Sequence, residues 1–338
     1  MTEAAFYNSI NIFLESDRRK LKKLKDQYKT WQSAWKSLNS DQDVEKEWKK
    51  LSSVDAELIL LEDKKYPGLL KEIADPPFGI YVVGSMPDNL DSALAIVGTR
   101  KATTEGKSIA KNFSNVLTQF GLPIISGLAL GIDAAAHEGC LDAHGKTVAV
   151  LANGIGHIYP RTNERLAQKI IDNGGAIISE YPVGSPPLPY RFLERNRIVA
   201  GLSRGILVVE APERSGSLVT ARLALEQNRE VFVIPGPIAH PNYKFSNQLI
   251  RKGAELVTKP EEILESFGIE METKEQQNIF ETDEEKIIFA AIEGSSSPLS
   301  VDKIQESTNL GTSAINRTLT VMILKNLVSE TNNGYTIK

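Results

Sequence analysis

Small residues and arginines recur just after short apolar runs in this chain, a pairing suited to holding phosphate or another anion. Gly98, Thr99 and Arg100 follow ALAIV, and Ser126 and Gly127 follow PII and lead on to Asp133. The run TVAVLA enters a loop that carries Gly156, His157 and Tyr159 and ends at Arg161, Thr162 and Asn163. Ser215, Gly216 and Ser217 come after GILVVEA. Backbone amides in such loops can converge on an anion where a helix begins, and a guanidinium offers a planar fork for phosphate. Arg195, Asn196 and Arg197, close to Phe192, join this set if their helix packs on the same sheet edge. Arginine, amide, hydroxyl and aromatic ring together suit a phosphate backbone with its bases splayed out.

Other chemistry is poorly provided for. His137, His144, His157 and His240 lack the spacing of a metal site, so neither a metal nor a cofactor is expected. Asp133 is read as a helix cap and Glu210 as an orienter of a neighbouring loop, so no catalytic residue is assigned and the chain is not read as an enzyme. A nucleotide-binding enzyme is the competing reading, since a doubly wound sheet often holds a dinucleotide or a phosphoribosyl group. Gly98 and Gly106 are too far apart for G-x-G-x-x-G, and the segment 215–220 reads SGSLVT, where a phosphoribohydrolase would carry P-G-G-x-G-T-x-x-E.

The elements that must carry these loops follow from hydrophobic patterning. ALAIVG, PIIS, TVAVLA, AIISE, GILVVEA and VFVIPG are β-rich runs separated by helical stretches, including 104–120, 132–143, 162–172 and 218–227. The alternation predicts an α/β fold with a doubly wound, mainly parallel, Rossmann-like sheet over residues 55–267. Residues 1–54 read as a small helical domain with helices around 10–14, 18–28, 30–38 and 43–51. An acidic linker is expected at 268–283, and three helices with a hairpin at 284–338 suggest a winged helix. Its third helix carries only Arg317 and Lys325, thin for duplex binding and for a transcription factor.

The chain has 338 residues, 41% of them hydrophobic, and a net charge of −4, which argues against a sequence-blind polycation. Basic residues nevertheless cluster at Arg18, Arg19, Lys20, Lys22, Lys23, Lys25 and Lys29, read first as a solvated helix face. A lone Cys140 forms no disulfide framework, no apolar run approaches a membrane span, and no secretory signal is read, so a cytoplasmic location is expected.

Residues 58–267 resemble the DNA-processing protein A family, also called Smf. The resemblance is carried in order by GTR at 98–100, SGLALGID at 126–133, VLANGIGHIYPRTN ending at Asn163, ISEYPVGSPPLP, RFLERNRIVAGLSRG, VVEAPERSGSLVTARLALEQNREVFVIPG and SNQLIRKGA. It implies a homodimer that binds and protects single-stranded DNA and loads RecA recombinase onto it in natural transformation or related recombination. The family's DNA pocket maps onto Arg100, the Ser126 and Gly127 loop, Arg161, the 195–197 segment and the 215–217 segment. Gly156 stands where the family usually has an acidic residue, Thr99 where serine is common, and Glu15-Ser16-Asp17 where a glycine-rich hairpin would sit. A dimer surface is expected on the late helix and strand, where Ile250 and Leu256 are apolar in a polar stretch.

Overall fold

Successive side chains of a strand point to opposite faces, so a strand apolar at every position must be covered on both. The computed structural model, which describes residues 1–269, 282–295, 298–308, 310–325, 327–331 and 334–337, shows that arrangement. Val148 and Val150 join one core, and Ala149 and Leu151 the other. Contacts divide the chain into two units, Met1–Ile269 and Glu270–Lys338.

Four helices come first: α1 (Glu3–Phe13), α2 (Arg18–Gln27), α3 (Trp31–Ser37) and α4 (Val44–Ser52). Thr2, Asp17, Thr30 and Asp43 cap them, each side chain accepting from a backbone N–H in the first turn. Helix α1 starts well before the helix expected near Ile10, because its buried face includes Asn8, Ser9 and Asn11, which hydrophobic periodicity does not count. The amides of Asn8 and Asn11 meet the Tyr81 hydroxyl at 2.9 and 3.2 Å, which pins the helix to the sheet.

The sheet follows as β1 (Ala56–Leu60), a short helix α5 (Gly68–Lys71), β2 (Gly79–Gly84) and β3 (Leu94–Val97). Helix α6 (Thr104–Gln119), β4 (Ile124–Ser126), α7 (Ile132–Asp142), β5 (Thr147–Val150), α8 (Glu164–Asp172) and β6 (Ala176–Ser179) build one wing. Helix α9 (Pro189–Gly201) then crosses back to β7 (Gly205–Val208), followed by α10 (Gly216–Glu226), β8 (Glu230–Val233), α11 (Ser246–Arg251), β9 (Glu255–Leu256) and α12 (Pro260–Ser266). The nine strands lie in the order β1-β2-β6-β5-β4-β3-β7-β8-β9. Only β2 runs against its neighbours; from β6 to β9 every pairing is parallel. Chain order reverses between β3 and β7, so the crevice at their carboxyl ends is the natural ligand position of such a sheet.

The second unit holds α13 (Asp283–Glu293), α14 (Val301–Thr308), α15 (Thr312–Leu324) and an antiparallel ribbon of β10 (Val328–Thr331) and β11 (Gly334–Ile337). Its core is Ile288, Ile292, Ile304, Ile315, Leu319, Met322 and Val328. Lys325 Nζ lies 2.9 Å from the buried Glu285, and Arg317 is 3.2 Å from Glu284. Most of the expected acidic linker, and residues 332–333 of the expected hairpin, lie outside the described residues.

Candidate nucleic-acid interface

Glycine is required where the crevice loops meet. A Cβ on Gly98 would collide with Ile132 at the start of α7, and one on Gly131, at φ 82°, with the backbone of Thr99. The loops after β3 and β4 therefore touch backbone to side chain, and Ile132 N–H donates to Thr99 O at 3.3 Å. Glu210, wholly buried at the end of β7, holds the first loop from the other side. It accepts from Thr103 N–H at 3.1 Å, from the Thr103 hydroxyl at 2.5 Å and from Asn242 Nδ2 at 2.8 Å, while its own carbonyl accepts from Thr99 N–H at 2.9 Å.

The β4 loop is organised by three buried side chains. Asp133 accepts from Gly127 N–H at 3.1 Å and Ala129 N–H at 3.4 Å. Burial pushes its carboxyl above the usual range, opposed by Arg195 and by those two amides. Asn163 Nδ2 donates to Leu128 O at 2.9 Å, which holds Leu128 at a positive φ of 55°. Arg195 donates to Gly127 O at 2.8 Å and to Val150 O. Burial lowers its guanidinium to about 10, so it stays charged at neutral pH. Ser126 is spent within the sheet, its hydroxyl donating to Ile96 O at 2.6 Å.

These loops, the first turns of α9 and the start of α10 enclose a pocket of about 610 Å³. Gly98, Thr99, Arg100, Gly127, Arg195, Asn196, Ser215, Gly216 and Ser217 all line it, so most of the residues expected from the sequence come together. Ser215 caps α10, and its hydroxyl lies 2.5 Å from that of Ser217. Asn196 Nδ2 donates to Gly216 O at 3.2 Å, which ties α9 to that helix start. Ser215, Gly216 and Ser217 thus put the start of α10 at the pocket wall, where a helix terminus favours negative charge.

Across the mouth runs a row of planar groups. The Arg100 guanidinium sits 4.8 Å from the Phe192 ring centre, and Phe192 meets Tyr159 edge-on at 5.6 Å. Arg100 is exposed, as is Arg214, a pocket residue at φ 58° that the site assignment from sequence passed over although it adjoins Ser215. Phe192, Tyr159 and Leu193 also line the pocket.

Four expected residues sit elsewhere. Asn163 is buried and outside the lining, its amide donating to the Leu128 and Ala129 carbonyls. Arg161 is not among the lining residues; its side chain is 90% exposed and lies 3.5 Å from Glu164. Arg197 faces away on α9 and is buried against Glu180 at 2.5 Å and Asp75 at 3.4 Å. Ser126 lies beneath the pocket floor. Of the residues expected at a dimer surface, Leu256 is exposed on the edge strand β9, and Ile250 packs half-buried against the core. Among the described residues no cluster of His, Cys, Asp or Glu could hold a metal, and no helix is long and apolar enough to cross a membrane.

The model of the DNA recombination-mediator protein A family matches residues 57–268, which include every lining residue of the pocket. The chain belongs to that family. It is similar to Protein Smf of Escherichia coli, 46% identical over 66% of this chain and 60% of that one. It is also similar to Protein Smf of Synechocystis, 44% identical over 61% and 53%. The chain thus spans little more than half the length of these two relatives. Among solved structures, DNA processing protein A of Streptococcus pneumoniae superposes with a TM-score of 0.61 at 37% identity, over 70% of this chain and 80% of that one. The protein of the same name from Helicobacter pylori, whose structure concerns its single-stranded DNA binding mode, gives 0.56 at 30% identity, over 63% and 95%.

Proposed function

We propose that this protein captures single-stranded DNA in the β3/β7 crevice and performs no chemistry on it. The observation that carries this reading is the row Arg100, Phe192 and Tyr159 beside the start of α10. Arg100 neutralises a phosphate, the α10 amides donate to its oxygens, and the aromatic pair stacks a splayed base. The family match and the strand-binding relative from Helicobacter pylori support the same reading. The carboxylates at the sheet ends argue against catalysis, because Asp133 and Glu210 are consumed in holding loops. In keeping with the family resemblance, the strand is protected and passed to RecA recombinase in recombination or natural transformation, in the cytoplasm. The working form is a homodimer joined near Ile250 and Leu256, a surface on the β9 edge that leaves the crevice open.

Fluorescence anisotropy with labelled oligothymidine and a matched duplex, over a salt series, tests the reading. Preference for the strand, weakened by salt and by Arg100→Ala, is expected. Equal binding by the Arg100→Ala protein would return the nucleotide-enzyme reading to the front.

A further inference from the structure

We infer that the captured strand leaves the pocket over the first turns of α9 and continues along α2, whose basic face is a second single-strand subsite. This rests on the strand-binding reading of the first pocket. Helix α9 separates two cavities. Phe192, Arg195, Asn196 and Val199, at helical spacing, line the pocket already described. Tyr190, Arg191 and Glu194, on the neighbouring face, line a second cavity of about 580 Å³, whose far wall is the start of α2. Leu193 on the lining of the first and Tyr190 on that of the second are 51% and 53% exposed, an apolar and an aromatic surface on the path from one cavity to the other.

In a chain of net charge −4, α2 gathers Arg18, Arg19, Lys20, Lys22, Lys23 and Lys25 against a single acid, Asp26. Arg18 is held by Asp75 and by Glu194 at 3.4 Å, and Lys25 by Glu62. Arg19, Lys20, Lys22 and Lys23 are exposed, and among the described residues only Lys20 has an acidic neighbour, Asp17 at 3.8 Å. The second cavity also has acidic lining, but most of it is engaged: Asp17 caps α2, Asp75 and Glu194 hold Arg18, and Glu15 alone is exposed without a side-chain partner. A flexible polyanion with π-faces fits an aromatic crest followed by uncommitted cations. A helix about 10 Å across is bridged by about three stacked nucleotides.

The test replaces Arg19, Lys20, Lys22 and Lys23 together by glutamine, which keeps helix propensity on an exposed face. Binding is then measured with oligothymidines of about 6 and about 20 residues over a salt series. The short strand should bind as to the parent protein, while the long one loses about tenfold and its salt slope falls by about 2 to 3. Tyr190→Ala should also weaken the long strand selectively, with an unchanged slope. Unchanged binding of the long strand, or equal loss at both lengths, overturns the α2 path. Failure of the parent protein to bind either strand, or indifference of the short strand to Arg100→Ala, instead overturns the reading on which the path rests.

Discussion

A Cβ placed on Gly127 would lie 2.5 Å from the guanidinium of Arg195, the same group that donates to the Gly127 carbonyl at 2.8 Å. The absence of a side chain at one position and a buried arginine at the other are one device, which sets the pocket floor.

Gly127→Ala should therefore displace Arg195 and weaken strand binding, with a stability loss of about 1 to 3 kcal/mol from overpacking. Arg195→Met, which leaves the Gly127 and Val150 carbonyls without this donor, should cost a similar amount, about 1 to 3 kcal/mol. Urea midpoints beside anisotropy check both; full stability in Gly127→Ala would remove the argument.

Arg100 and Arg161 should separate. Arg100 stands over Phe192 at the pocket mouth, whereas Arg161 lies outside the lining and beside Glu164. Arg100→Ala should weaken oligothymidine binding about tenfold and reduce the salt slope by about 0.7, one phosphate contact on a single strand. Arg161→Ala should do less, and a larger effect at Arg161 would place the strand on the other rim.

Glu210→Ala removes the acceptor for Thr103 N–H, the Thr103 hydroxyl and Asn242. Leaving these donors unpaired should destabilise the fold by about 2 to 3 kcal/mol and loosen the start of α6. Amide exchange in residues 99–106 should quicken, and unchanged exchange would count against Glu210 as the holder of that loop.

His137, buried on α7, is held 2.7 Å from the Thr147 hydroxyl, which itself donates to Ile124 O at 2.7 Å. That hydroxyl hydrogen being used, His137 Nδ1 must donate, which assigns the neutral tautomer. Burial pushes the imidazole down to about 3. Because the unfolded chain takes up this proton near pH 6.5 and the folded one does not, the stability contribution is complete above that pH. It is lost as pH falls from about 6.5 toward about 3, by at most about 1.4 kcal/mol per pH unit. Urea unfolding at pH 7 and pH 5 should show a smaller pH difference for His137→Gln; equal differences would mean the histidine is not the group responsible.

Much of this architecture is legible in the residues alone, for identifiable reasons. Strands apolar at every position announce a sheet covered on both faces, and glycine-arginine or serine-glycine steps after β3, β4 and β7 mark the crevice. Helix phase separates what composition joins: Arg195 and Arg197 are two residues apart, about 200° around α9, so one lines the pocket and the other pairs with Glu180. The start of α1 escapes periodicity because Asn8 and Asn11 are buried by bonding to Tyr81, a partner far along the chain. Arg161 follows a strand as Arg100 does, but only the three-dimensional course of its loop puts it beside Glu164.

The parallel pairing of β3 with β7, Leu94 beside Gly205, has a consequence for biosynthesis. The crevice joins an early loop to one made more than a hundred residues later, so a ribosome-bound chain that has not yet exposed β7 and α10 cannot have it. Contacts this distant in sequence also raise contact order and slow folding. Strand-binding capacity should therefore arise late, as the crossover through α9 docks, and a product truncated before Gly205 should be inert toward DNA at this site however well its first wing is folded.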